Sequence, residues 1–146
     1  MKGNVFMNIT IFTAEELYSM GFSFKHYSEN VHRGMVYYYN DEEWIIGGRC
    51  DADFTDDDMK IISDGIWLPS QEHLLEWLED NDFVYSIVNT DGFYDVDCKD
   101  SHTNTLYHSK TPTLEVALAS IIKKILKKKE RTFDYKEKIF GTIISD

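Results

Sequence analysis

The side chains best equipped for chemistry in this chain are carboxylates, and they crowd into the stretch RCDADFTDDDMK, where Asp51, Asp53, Asp56, Asp57 and Asp58 fall within eight residues. Carboxylates at that density can hold a hard cation, share a proton in acid–base catalysis, or simply be hydrated. An EF-hand calcium loop needs oxygen ligands at its first, third and fifth positions, a glycine at the sixth and a bidentate glutamate at the twelfth. Counted from Asp51, the fifth, sixth and twelfth positions are Thr55, Asp56 and Ile62. The turn residue and the closing ligand are both absent. A magnesium site would need a phosphate-cradling glycine loop or a basic clamp beside it to act on a substrate, and neither is there. The stretch reads as a solvated acidic loop, with no metal and no cofactor assigned.

Other reactive residues are dispersed. His26, His32, His73, His102 and His108 form neither HxH nor HExxH, and Cys98 and His102, four apart, lack a third and fourth ligand. Ordinary surface or hydrogen-bonded histidines are expected. Cys50 and Cys98 stand outside any CxxC pattern and read as reduced, packed thiols. There is no GxSxG, Walker loop or GxGxxG, and Gly47-Gly48 reads as a bulge or turn closing a strand. No residue is assigned a catalytic role, and a non-enzymatic protein is expected.

Charge says more about partners. The net charge is −11, but residues 1–110 hold 7 Lys+Arg against 21 Asp+Glu, whereas residues 111–146 hold 8 against 5. A body of that sign repels a phosphate backbone, because nucleic-acid affinity comes from Lys and Arg displacing counterions. Direct nucleic-acid binding is disfavoured, and a protein with a basic surface is the favoured partner. In MVYYYN, Tyr37 and Tyr39 share one strand face, which should pack inward. Tyr38 faces the other way, toward Asp41, Glu42 and Glu43. A tyrosine rimmed by acids suits an interface, since the ring supplies contact area while carboxylates steer a cationic partner. The candidate partner-binding residues are therefore Tyr38, Asp41, Glu42, Glu43, Asp51, Asp53, Asp56, Asp57 and Asp58. An alternative small-molecule role, gripping a phosphorylated nucleotide, would use Arg33, Arg49 and the cations of residues 123–131.

The elements that must position these residues follow from periodicity. NITIF reads as a short strand, and TAEELYSMG as a first helix capped by Thr13, with Glu16 closing a capping box and Gly21 stopping it. RGMVYYYN and EWIIGGR read as a hairpin about Asn40-Asp41-Glu42. Ser70 caps a helix over residues 71–80 whose apolar positions are Leu74, Leu75, Trp77 and Leu78. FVYSIVNTDGFYDVDC reads as two strands about Asp91-Gly92, and NTLYHS as a third. In TPTLEVALASIIKKILKKKE, Thr111 can cap and Pro112 suits the first helical position, while Leu114, Ala117, Leu118, Ile121, Ile122 and Ile125 make one apolar face. Lys123, Lys124, Lys127, Lys128 and Lys129 lie on its polar side. The tail TFDYKEKIFGTIISD alternates weakly and reads as an edge strand or loose end.

The chain is expected to be a single α+β domain over 1–146: a hairpin-rich acidic half to residue 66, a helix–three strands–helix unit over 67–130, and a tail over 131–146. Its antiparallel hairpin sheet should carry a few helices, as an αβα or two-layer sandwich. No apolar run approaches the roughly 20 residues that cross a bilayer, and the N-terminus lacks signal-peptide character. A soluble, cytoplasmic protein is expected. WLPSQEHLLEWL opening that unit and TPTLEVALASIIKKIL closing it resemble small tailed-phage and prophage proteins with the so-called phage ABA sandwich domain. The resemblance covers about 60 of 146 residues. It implies an αβα or two-layer arrangement and a phage origin, hence the host cytoplasm, and transfers no functional residue. The expected function is a phage-type accessory or anti-defence protein that inhibits a host protein through an acidic surface, as a nucleic-acid mimic or immunity-like protein. Alternatives are a sponge for a nucleotide defence signal and a small enzyme.

Overall fold

The short strand expected over NITIF does not form. A computed structural model describes residues 8–23, 34–47 and 54–144, with side chains as far as residue 129. In it, Asn8 makes a single antiparallel bridge to Ser70, and Ile9 N–H donates to the Pro69 carbonyl at 3.1 Å. The first helix, α1 (Ile11–Ser19), then begins at once, with Thr10 rather than Thr13 as its cap. The earlier start places Ala14 and Leu17 on one face, and both are fully buried. Gly21 follows the helix at φ +94, a conformation that favours glycine, as its stop role anticipated.

The hairpin expected around Asp41 is present as β1 (Val36–Tyr39) and β2 (Glu42–Ile45), with Asn40 and Asp41 both at positive φ. Such a turn matches the right-handed twist of its strands. A three-residue strand, β3 (Ile66–Leu68), pairs on the other side of β1, giving the order β2-β1-β3. The middle strand is covered on both faces, since the neighbours Val36 and Tyr37 are both buried.

Between these strands lies the main departure from the expected fold. Residues 56–64 are not a loop but a helix, α2 (Asp56–Asp64), opened by Thr55. Ile61 anchors it in the core. Charge density masked a threonine followed three residues later by an aspartate, which is a helix-start pattern in its own right.

The second half follows its reading closely. Helix α3 (Gln71–Asp80) is capped by Ser70 and buries Leu74, Trp77 and Leu78. Strands β4 (Phe83–Thr90), β5 (Phe93–Asp100) and β6 (Leu106–Thr111) form a second antiparallel sheet in that order, with Asp91 and Gly92 at positive φ in the first turn. Helix α4 (Leu114–Ile144) closes the unit, with Leu118, Ile121 and Ile122 completely buried. Thr111 ends β6 instead of capping α4; the carbonyl of Thr113 accepts the first helical bond, from Ala117 N–H. The tail is neither edge strand nor loose end, because α4 continues through it to Ile144. ERTFDYKEKIF contains no proline and no turn pair to stop a helix already nucleated.

The chain is thus α+β, with four helices and two three-stranded antiparallel sheets among the described residues. One continuous core joins the halves, running from Leu17 and Tyr37 through Trp67 and Leu78 to Val96 and Ile122. Phe22, Trp77, Phe83 and Tyr107 form a chain of ring contacts, with centroids 5.7 to 6.3 Å apart. No helix of the described residues is long and apolar enough to cross a membrane.

Candidate functional site

The proposed interface tyrosine is not exposed. Tyr38 is half-buried and packs on the core, opposite Glu43 on β2 and Ile66 on β3. Glu43 is also half-buried, and that burial pushes its carboxyl above the usual range. Glu42 is half-buried opposite Tyr39, and Asp41 is exposed in the turn. Tyr38 and Tyr39 each keep part of their surface exposed, while β2 and β3 pair along the two edges of β1.

The aspartate run is likewise redistributed. Asp56 and Asp57 are exposed in the first turn of α2, where negative charge meets the positive end of the helix dipole. Asp58 is buried, and its carboxylate accepts the Thr55 N–H at 3.0 Å while the Thr55 hydroxyl accepts the Asp58 N–H at 3.1 Å. Burial alone would raise the Asp58 carboxyl, but hydrogen bonds from Thr55 and from the Gly47 N–H outweigh it and hold it below its ordinary value. Asp58 is therefore a structural cap. Its bond to the Gly47 N–H ties the start of α2 to the chain just after β2. Asp51, Asp53, Arg33 and Arg49 lie outside the described residues, as do Cys50, His26 and His32.

A stronger acidic surface stands on α3, which was read only for its apolar face. Glu72, Glu76, Glu79 and Asp80 are all exposed, and the last turn of α3 holds no basic residue. Its one histidine, His73, is turned back and accepts the Ser70 N–H at 3.1 Å. Glu79 accepts from the Tyr85 hydroxyl at 2.6 Å, a bond that, with burial, raises the Tyr85 phenol. Beside the end of α3, Trp77, Asp80, Asn81, Leu126 and Lys129 line an open groove of about 460 Å³ with Gly21 and Ser23. Across the described residues from Asn8 to Asp82, fourteen Asp and Glu face a single cation, Lys60.

The lysines of α4 do not offset this from a distance; they fold onto their neighbours. Lys123 meets Glu16 at 3.3 Å, Lys124 donates to the His108 carbonyl, and Lys128 donates to the Thr105 hydroxyl at 3.0 Å. The Lys129 ammonium lies 5.7 Å from the Trp77 ring and 6.0 Å from the Phe83 ring.

The histidine and cysteine readings fare better. His102 pairs with Asp82 at 2.9 Å and is raised by that bond, while His108 contacts Asp95; both are exposed. Cys98 is buried under α4, and desolvation, with Asp100 nearby, pushes its thiol up to about 11. It sits on the inner face of β5 and does not join His102 in a metal-grade group. Among the described residues such a group exists elsewhere, formed by Asp95, Asp97 and His108. Sequence spacing could not reveal it, because strand pairing brings together residues thirteen apart.

The chain matches no family model, no curated protein and no solved structure.

Proposed function

We propose that this protein is a non-enzymatic binding protein that covers a basic surface of a partner protein, and that the solvent face of α3 lies at the centre of the contact. The observation that supports this reading is a run of exposed acids on α3 that extends into its C-terminal turn with no basic residue there. Glu79 and Asp80 occupy the C-terminal turn of α3, at the negative end of its dipole. Acids there cost about 0.3–1 kcal/mol each where cations would stabilise. Glu72, Glu76 and Asp80 also recur at i, i+4, where like charges cost roughly 0.2–0.5 kcal/mol per pair. Burial of Leu74, Trp77 and Leu78 explains why the helix exists, but not why its outer face is uniformly negative. A cationic partner would turn that repulsion into attraction.

On the phage reading, such a protein would be an accessory or anti-defence product, for which shielding a host protein's basic face, by nucleic-acid mimicry or in the manner of an immunity protein, would be inhibition. The nucleotide-sponge alternative is weakened: four α4 lysines that would meet phosphate are drawn onto this chain's own groups. The test compares the parent with a Glu76→Gln, Asp80→Asn variant as baits for host-cell proteins. The variant should melt slightly higher, since repulsion is relieved, yet capture the parent's cationic partner more slowly. The difference should shrink as salt rises to physiological strength and the screening length falls to about 8 Å. Equal association of parent and variant across that salt range would remove α3 from the interface.

A further inference from the structure

The second sheet carries α4 on one face and leaves the other to solvent. On that open face Asp95 and Asp97 project together from β5, two residues apart, and His108 on β6 stands opposite Asp97 in register. One carboxylate oxygen from each aspartate and a ring nitrogen of His108 all lie within 4.8 Å of one another. His108 Nε2 is in hydrogen-bond contact with the Asp95 carboxylate.

The neighbouring cations do not fill the space between them. Lys110 is opposite Asp95 in register, but its ammonium is 5.8 Å from the Phe93 ring centroid. Lys99 is next on this face of β5, opposite Leu106. From β4, Ser86 faces Asp97 and Val88 faces Asp95, so that strand adds no titratable group.

We propose that Asp95, Asp97 and His108 form a binding site for a divalent transition-metal cation, with Zn²⁺ the best match. Two carboxylates balance a divalent charge. An imidazole nitrogen selects against calcium and magnesium, which take all-oxygen shells, and favours zinc or its first-row neighbours. Metal–ligand bonds of about 2.0–2.1 Å in a tetrahedron set donor atoms roughly 3.3 Å apart. Small side-chain rotations reach that separation, because hydrogen-bonded strands already fix the three backbones. Three protein ligands leave the remaining coordination to water or an external donor, which makes this an open site. The cation would replace the hydrogen-bond contact between His108 Nε2 and the Asp95 carboxylate with a bond to each. This inference is independent of the α3 interface, which lies on another element.

Titration calorimetry of the full chain, stripped of metal and supplied with zinc chloride, tests it, and the visible absorption of added Co²⁺ reports the ligand set. One Zn²⁺ should bind per chain at about pH 7.5. Asp97→Asn and His108→Gln should each lower the affinity by about tenfold or more, while circular dichroism stays unchanged because both side chains are exposed. Lys110→Gln should bind as the parent does. The proposal is overturned if no saturable Zn²⁺ binding occurs, if the His108→Gln affinity stays within about twofold of the parent, or if Mg²⁺ binds as tightly as Zn²⁺.

Discussion

Replacing Asp58 separates the structural carboxylate in the aspartate run from the two beside it. In the folded chain this buried side chain accepts from the Thr55 N–H and from the Gly47 N–H, and it closes a capping box with the Thr55 hydroxyl. Asp58→Ala leaves both donors without that acceptor and exposes the start of α2. Loss of a cap costs about 0.5–2 kcal/mol, and water reaches the half-buried Gly47 N–H, so a value near 1–1.5 kcal/mol is expected. For a chain of this length that lowers the melting temperature by roughly 3–6 °C. Asp56→Ala and Asp57→Ala remove only a favourable dipole contact and should each cost less than about 0.7 kcal/mol. The pH response has a definite sign. The folded Asp58 carboxyl holds its proton less tightly than the ordinary value of 3.8, so its stabilisation is complete above that value and fades as pH falls through the depressed folded one. Asp58→Asn should erase that part of the acid sensitivity. Thermal melts of the variants between about pH 2 and 7 supply both readouts. Equal destabilisation by Asp56→Ala and Asp58→Ala, or an acid profile unchanged in Asp58→Asn, would refute the capping argument.

Two further outcomes follow from burial. Leu118, completely enclosed on α4, should cost about 2–5 kcal/mol as Leu118→Ala, whereas Lys124→Ala, which removes one exposed contact to the His108 carbonyl, should cost less than about 0.5; similar losses in denaturant melts would mean the wrong face of α4 had been assigned. The Cys98 thiol, pushed up to about 11 against an ordinary 9.0, should resist thiol reagents in the native state at mildly alkaline pH and react on unfolding. Because its folded value is raised, stability should decline as pH climbs from the unfolded value toward the folded one, and rapid native labelling would contradict its burial.

What could be read from the chain alone divides along a physical line. Apolar periodicity is a local property, and it located α3, the β4–β5 hairpin and the buried face of α4, because Leu74 to Leu78 and Leu118 to Ile125 carry their spacing on their face. Charge is legible only as a sum. The excess of carboxylates was plain, but whether each one is solvated depends on neighbours that the sequence does not order. Asp58 went inside because Thr55, three residues before it, offered a cap, and Tyr38 is half-covered because it packs against the core. The α3 surface is hard to read for a related reason: the apolar stripe determines the helix, while the complementary face breaks the usual rule for helix C-termini. The Asp95–Asp97–His108 group lies further still from sequence reasoning, since a one-residue slip of β6 would turn His108 to the inner face. That dependence on register ties the proposed metal site to the fold: the burial of Val96 and Cys98 against α4 is what turns both aspartates and His108 to the open side.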